Sequence, residues 1–315
     1  MATFTWGFDA PSGTFKQNAL SSLLRNAAIA EAKFLQFVKP EPGYGKKMGE
    51  SVTLTRISNL TTPTSGRLTE NIKIPEDALS ITTVSITVSE WGRSVPFTSF
   101  SEDLMKFNLE NIVQMKLKDQ MKLVLDNACC DAFQTAKIKY VPTGVASNSI
   151  ATNGTAPTSA LANLNVFHAE QIRDYLYANL FAPGYEGDDY IGLVSTKGKR
   201  GLMSDPAWEE WHKYTDPQSK YNSEVGRLEN IRWIEVNNTG ALSGSLGTGS
   251  VLGEAVVFGA DAVAMAVVTD PELRAMIPQD FGRSKAVAWY GVLDFGIIWD
   301  TGNPGEARIV HVTST

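Results

Sequence analysis

The residues whose types could carry chemistry are few and widely spaced. His168, His212 and His311 are the only histidines, and they lack the HExxH, paired-cysteine or two-His-one-carboxylate spacing that places ligands around one metal ion. Gly184-Tyr-Glu186-Gly-Asp188-Asp189 gathers three carboxylates, a composition suited to Ca2+. It lacks the alternating D-x-D-x-D-G order of a calcium loop and reads as a solvated acidic turn. Gly244-Ser-Leu-Gly247-Thr-Gly249 has no Lys-Ser/Thr to complete a phosphate loop and only part of a dinucleotide fingerprint, so a surface loop is expected. Lys197-Gly-Lys199-Arg200 is the densest basic run; it could touch a phosphate, and a solvated turn is the default reading. No Ser occupies a G-x-S-x-G elbow. A carboxylate-dependent hydrolase built around Asp188 or Asp205 is the one enzymatic alternative. Trp208 and Trp211, three apart, could stack a ligand; such a pair more often serves a core or a subunit interface. Cys129 and Cys130 are adjacent, which fits neither a disulfide framework nor CxxC redox chemistry. No catalytic residue, cofactor or metal is predicted.

Composition narrows the partners. The 315 residues carry 28 Lys and Arg against 34 Asp and Glu, a formal charge of -6. The whole chain is therefore repelled by a phosphate backbone, and sequence-specific DNA binding is not expected. At 43% hydrophobic and only 20% charged, the sequence describes a loop-rich globular protein with a substantial core. No apolar run approaches the ~20 residues of a membrane span, and no charged segment precedes an apolar leader. Neither membrane embedding nor standard export is expected, and the reduced cysteines suit an intracellular setting. The N-x-T triplets at Asn59, Asn153 and Asn237 then carry no glycosylation meaning.

The positioning elements are more telling. Thr14 to Val38 has helical spacing of Leu20, Leu23, Leu24, Ala27, Ala28 and Phe34, and Pro40 and Pro42 stop it. It reads equally as a projecting arm or as a helix packed on its own core. Glu50 to Ile57 and Ser80 to Ser89 are strands by their β-branched, period-two pattern. The linker Thr61 to Asp77, polar and poor in apolar residues, makes them an extended hairpin. Such a ribbon is marginal in water and gains stability by docking on something else.

From the capping box Ser99-Phe-Ser-Glu102 to Lys139 there is no Pro or Gly, and Val113, Leu117, Met121, Val124, Ala128 and Ala132 share a face. An i,i+4 pair of Glu102 with Lys106 and a helix of roughly 55 Å are predicted, long enough to impose a flat or elongated body. Further on, Ala146 to Ala160 and Lys197 to Tyr221 read as loops, and Val166 to Leu180 as a helix. Strands are expected at Tyr190 to Val194, Ile231 to Val236, Ala255 to Phe258, Ala262 to Val268, Lys285 to Trp299 and Ala307 to Thr313. No fixed period appears, which excludes a solenoid or propeller.

Several segments, in order, resemble the major capsid proteins of tailed bacteriophages with the Hong Kong 97-type fold, in their podophage-like branch. They are Val88-Ser-Glu-Trp-Gly92 running through Val95-Pro-Phe-Thr98 into the long helix; Gly201-Leu-Met-Ser-Asp-Pro-Ala-Trp208; and Val257-Phe-Gly-Ala-Asp-Ala262, Pro278-Gln-Asp-Phe-Gly-Arg283 and Ala286-Val-Ala-Trp-Tyr290. Ala307-Arg-Ile-Val-His-Val312 fits the closing strand. The resemblance implies an α+β fold with an N-terminal arm (residues 1–43), an extended loop with adjoining strands (44–97), a peripheral domain with its spine helix (98–139), an axial domain (140–283) and C-terminal strands returning to the peripheral domain (284–315).

It implies as function a shell subunit that assembles with itself into pentamers and hexamers around phage double-stranded DNA, touched without sequence specificity. The expected location is the virion capsid, assembled in the host bacterial cytoplasm. A portal and a decoration protein are expected partners. Some relatives carry a scaffolding segment removed by a protease; here the arm helix is read from Thr14, so a separate scaffolding protein is expected. Subunit-interface candidates are Arg67, Glu70, Lys73 and Glu76 on the hairpin, with Trp208 and Trp211. Lys73 lies on the loop through which some relatives cross-link, but no motif supplies the partner Asn or the carboxylate, and cross-linking is not predicted. An encapsulin-like compartment is the nearest alternative.

Overall fold

A computed structural model describes residues 27–60, 62–63, 65–213, 223–242 and 244–315. The arm-helix expectation over Thr14 to Val38 falls largely outside these residues. Within them, residues 27–33 have no regular structure and Phe34–Phe37 is a single 3-10 turn followed by the short strand β1 (Lys39–Pro40).

The hairpin is present. Strand β2 (Ser51–Ile57) pairs antiparallel with β3 (Ile81–Thr87), from Ser51 opposite Thr87 to Ile57 opposite Ile81. The residues joining them, 58–80, contain no strand among those described. The paired part is fixed at one corner: Ile86 is buried with Ala264 and Ala266, and the Arg56 guanidinium donates to the Ile298 carbonyl and pairs with Asp300.

After β4 (Ser89–Thr98) come α1 (Ser99–Leu104) and α2 (Leu109–Gln134). The predicted continuous helix is thus broken between Met105 and Asn108. Asn108 is the cause: its side chain accepts the Asn111 backbone N–H and starts a new helix, while the Met105 N–H closes α1 on the Ser101 carbonyl. The cap of α1 is Thr98, one residue before the predicted box, and Glu102 pairs with Lys285 of β12 at 2.8 Å. At 26 residues, α2 spans about 39 Å, shorter than predicted.

The rest of the chain supplies β5 (Ile138–Gly144), β6 (Ser147–Ala151), α3 (Val166–Asp174, ending in a π turn), β7 (Tyr190–Ser195), α4 (Thr196–Met203), α5 (Pro206–Lys213), β8 (Glu224–Leu228), β9 (Ile231–Val236), β10 (Ala255–Phe258), β11 (Val263–Ala275), β12 (Ser284–Ile297) and β13 (Ile309–Val312). Two larger sheets result. One is four-stranded, in the order β1-β11-β12-β4; the other is seven-stranded, β6-β5-β13-β10-β7-β9-β8. Along β12 every second residue from Val287 is buried, the period-two signature of a strand with one covered face. Val287 and Trp289 on that face meet Val113 and Leu117 of α2.

The seven-stranded sheet is covered on both sides. Ile191, Leu193, Ile234, Val256 and Phe258 face Phe34, Phe37 and the C-terminal half of α2; Tyr190, Val194, Trp233, Val257 and Val310 face Ile172, Leu176, Leu202 and Trp208. The expectation groups residues 284–315 together, yet their strands part: β12 joins the four-stranded sheet, whereas β13 pairs with β5 and β10 in the other.

Candidate assembly surface

Nearly every side chain singled out for chemistry is occupied inside the subunit. His168 on α3 is buried with Nδ1 2.8 Å from the Tyr140 hydroxyl and Nε2 3.0 Å from the Gly144 carbonyl oxygen. Burial pulls its pKa down from 6.5 to about 4, so it is a neutral core histidine. His311 on β13 sits between Glu254, 2.6 Å from Nε2, and the Lys139 ammonium, 2.9 Å from Nδ1. Lys139 also donates to the Gln134 carbonyl, and the Gln134 amide donates to Glu254. Burial holds both His311 and Lys139 below their ordinary pKa values. This buried cluster ties the end of α2 to β5, β13 and the start of β10. The side chain of His212 lies outside the described residues.

Cys129 and Cys130 are buried, and desolvation pushes both thiols well above their usual range, which removes thiolate reactivity. The acidic turn is an ion-pair node: Asp189 accepts from Arg227 (2.6 and 3.0 Å) and from Arg232 (3.1 Å), and Arg232 continues to Glu224. Asp188 borders a recess of about 220 Å3 with Arg173 and Asn230. Asp205 is a joint between helices, accepting the backbone N–H of Ala207 at the start of α5 and of Val166 at the start of α3. The hydrolase reading therefore loses Asp205 to structure. Among the described residues, no group of three or more His, Cys, Asp and Glu is placed to hold a metal ion, and no helix is long and apolar enough to cross a membrane.

One juxtaposition escapes sequence reading. Lys197 and Arg200, on α4 rather than in a turn, share a cleft of about 630 Å3 with Gly244 and Ser245 of the glycine-rich loop. Lys199 instead pairs with Glu235 at 2.6 Å. A buried carboxylate also goes unflagged by any motif. Asp126 on α2 accepts the N–H groups of Phe34 (2.8 Å) and Leu35 (3.2 Å), and Asn238 donates to its other oxygen. Desolvation raises its pKa against those bonds. The signal that could have found it is an Asp beside the apolar face of a core helix, which needs partners when buried.

Exposed large apolar side chains occur at many places, and two segments carry several each. Arg67, Glu70, Lys73 and Glu76 all lie on the connection between β2 and β3 and are exposed, with Lys73 and Glu76 forming an i,i+3 ion pair. Contrary to the sequence reading, the connection is not poor in apolar groups: Leu60, Leu68, Ile72, Ile74 and Leu79 are each more than half exposed. At the end of the four-stranded sheet, Ile277 and Phe281 on the β11–β12 turn and Phe100, Leu104 and Met105 beside it are also exposed. Of the two readings for the tryptophan pair, Trp208 lies in the chain's own core at 6% exposure. Trp211 is on α5, its side chain outside the described residues.

The chain is thus an α+β fold whose polar clusters are filled from within and whose β2–β3 connection exposes aliphatic and charged side chains together. No family model matches the sequence, and no curated protein does. Solved structures do. The "Capsid of Ralstonia phage GP4" superposes with a TM-score of 0.68 at 15% identity, covering 100% of this chain and 99% of that one. The "Acidic stable capsid structure of Helicobacter pylori bacteriophage KHP30" gives 0.69 at 12% identity, with the same coverage. The "Cyanophage Pam1 capsid asymmetric unit" gives 0.68 at 13% identity, again over 100% and 99%. The chain has the fold of phage capsid proteins from end to end.

Proposed function

We propose that this chain is a major capsid protein that assembles with itself into the icosahedral shell around phage double-stranded DNA. The observation that carries the reading is the superposition over essentially the whole of both chains on several phage capsids. The exposed hairpin supports it. No catalysis is needed: the aliphatics between β2 and β3 lie across an adjacent subunit, and Arg67, Glu70, Lys73 and Glu76 set register and partner choice. Contacts of this head-to-tail kind close by rotation into pentamers and hexamers.

In the Hong Kong 97-type plan, residues 1–43 form the arm, 44–97 the extended loop, 98–139 the spine region and 140–283 the axial domain; of 284–315, β12 returns to the four-stranded sheet while β13 stays with the seven-stranded one. A separate scaffolding protein, a portal and a decoration protein are the further partners, assembly takes place in the bacterial cytoplasm, and the product is the virion capsid. The net charge of -6 suits a lining that packaged DNA touches without sticking.

Electron microscopy of the purified chain under assembly conditions should show rings, sheets or shells. Deleting Thr64 to Asp77 should leave the circular dichroism spectrum of a folded subunit and abolish those assemblies. Normal shells from the deletion defeat the hairpin's role, and persistent monomers of the parent chain defeat the capsid reading.

A further inference from the structure

Two neighbouring strands of the seven-stranded sheet send the chain to opposite sides. β7 and β9 run parallel, with Ser195 opposite Val236 at their carboxyl ends. Beyond Ser195 the chain enters α4, whose Leu202 lies with Tyr190, Val194 and Trp233 on one face. Beyond Val236, Ala241 and Leu242 lie with Ile191, Leu193 and Ile234 on the other. Parallel strands whose connections part in this way leave a crevice outside their carboxyl ends, the place where open α/β sheets take ligands. Here the crevice is the cleft of about 630 Å3, a volume within the range of small-molecule sites.

The charge of this cleft is one-sided. Lys197 and Arg200 line it, no carboxylate does, and neither basic side chain has a hydrogen bond or ion pair among the described residues. The acids that come near are already taken. Glu235, which shares a recess with Arg200, is held by Lys199 at 2.6 Å, and Glu31, whose N–H bonds Asn237, pairs with Lys33. Ser195 adds a donor: it is 3% exposed, lines the cleft and accepts the Gly198 N–H at 3.4 Å, while its own hydroxyl proton meets no acceptor among the described residues. A buried donor left in this way carries a desolvation cost that a bound anion removes. The backbone beneath the cations is fixed as well. A Cβ at Gly201 would collide with the Leu164 carbonyl oxygen, and the Asn163 amide donates to the Lys197 carbonyl at 3.2 Å, so glycine in the basic run lets α4 press on its neighbours.

We propose that this crevice binds a phosphate ester of nucleotide size, with Lys197, Arg200 and the Ser195 hydroxyl on the phosphoryl oxygens and the rest of the ligand between the side chains of Asn237, Thr239 and Ser245. Two unpaired cations and a hydroxyl match the dianion of a phosphate monoester better than a singly charged carboxylate, and the cleft is far larger than a bare phosphate. A free nucleotide and the backbone of DNA both offer this phosphoryl chemistry. The site uses residues of one subunit only, so it is independent of the assembly reading.

The test is isothermal titration calorimetry of the full chain at low salt with dAMP, deoxyadenosine and a short DNA duplex. Lys197→Ala and Arg200→Ala should each weaken the phosphate-bearing probe that binds by about tenfold or more, with circular dichroism unchanged. Lys199→Ala, which removes the partner of Glu235 outside the cleft, should leave affinity within about twofold. Binding of dAMP that the duplex does not displace assigns the site to free nucleotides. Binding of the duplex in its place, with the same loss in both variants, assigns it to the DNA backbone. Neither probe bound, deoxyadenosine bound as tightly as dAMP, or affinity unchanged in either cleft variant overturns the site and leaves the capsid reading intact.

Discussion

The seven-stranded body and the β2–β3 hairpin solve the same problem in opposite ways. In the body, each apolar strand face is covered by the chain itself: α2 and the Phe34–Phe37 turn on one side, α3, α4 and α5 on the other. Polar groups trapped there, Asp126, His168 and the Lys139–His311–Glu254 cluster, all have partners. The hairpin is anchored only near Arg56 and Ile86, and leaves Leu68, Ile72 and Ile74 in water beside charged neighbours. The difference separates two kinds of sequence information. The body's apolar residues are covered within the chain; those of the hairpin connection are exposed, and on the proposed reading another copy covers them. The contrast can be broken by substitution, since changes in the body should appear as lost stability and changes in the hairpin as lost association.

The largest effect is expected from Leu117→Pro. Leu117 is 1% exposed in the middle of α2 and packs with Val287 and Trp289. Proline there removes a helix hydrogen bond and clashes with the preceding turn, at a cost of about 3 kcal/mol or more before the lost packing is added. Urea unfolding followed by circular dichroism should show a chain that no longer folds; a parent-like transition overturns the role of α2 as the spine of the body.

Acid should act on the body next. The His168 pKa falls from 6.5 to about 4 in the folded chain, so the unfolded chain takes up a proton near pH 6.5 that the folded one refuses until about pH 4. Stability from this group is complete above pH 6.5 and is lost as pH falls toward 4, by roughly 1.4 kcal/mol per unit. Buried His311, also shifted down, acts in the same direction. Asp126, whose pKa is raised, takes up its proton more readily when folded and offsets part of the loss. Urea midpoints between pH 7.5 and 4.5 should therefore fall less steeply in His168→Gln than in the parent; equal slopes remove His168 as a contributor. The hairpin, with no histidine between Ser51 and Thr87, should be indifferent to this range.

A smaller change is expected at the joint between α2 and the N-terminal segment. Asp126→Leu leaves the Phe34 and Leu35 N–H groups buried without their acceptor, a loss of about 1–3 kcal/mol. Asp126→Asn keeps an acceptor oxygen and should recover most of it. Amide exchange at Phe34 is the direct readout: unchanged protection in Asp126→Leu shows that the segment is held by Phe34 and Phe37 packing instead.

How much of this was legible follows the same divide. Strands with strong period-two or β-branched character, such as β9, β10 and β12, lie within a few residues of their expected places, because one or both faces are buried and burial writes the pattern. Helix α4 departs from the turn expected for the basic run Lys197–Arg200. Gly198 is required by packing: a Cβ there would come within 2.7 Å of the Val194 side chain and 3.2 Å of the Gly253 carbonyl oxygen. The break before α2 was missed because an Asn cap interrupts a helix without proline or glycine. The apolar groups between β2 and β3 follow no period, so no pattern marks them; on the proposed reading they answer to the surface of a second copy rather than to their own fold.

The last prediction tests that statement where its effect on stability is smallest. Ile72 and Ile74 are 67% and 64% exposed, so replacing both with Ser removes little buried area from the subunit. The free energy of unfolding should stay within about 0.5 kcal/mol of the parent. Assembly should suffer disproportionately, because across an interface each aliphatic side chain is worth about 1.5–3 kcal/mol when fully buried, and the loss recurs at every subunit. Urea unfolding beside sedimentation of the same preparations separates the two quantities. A double variant that loses 2 kcal/mol of subunit stability would mean that the hairpin is packed on its own chain. One that keeps both stability and assembly would locate the adhesive part of the hairpin in Arg67, Glu70, Lys73 and Glu76, leaving electrostatic register as its contribution.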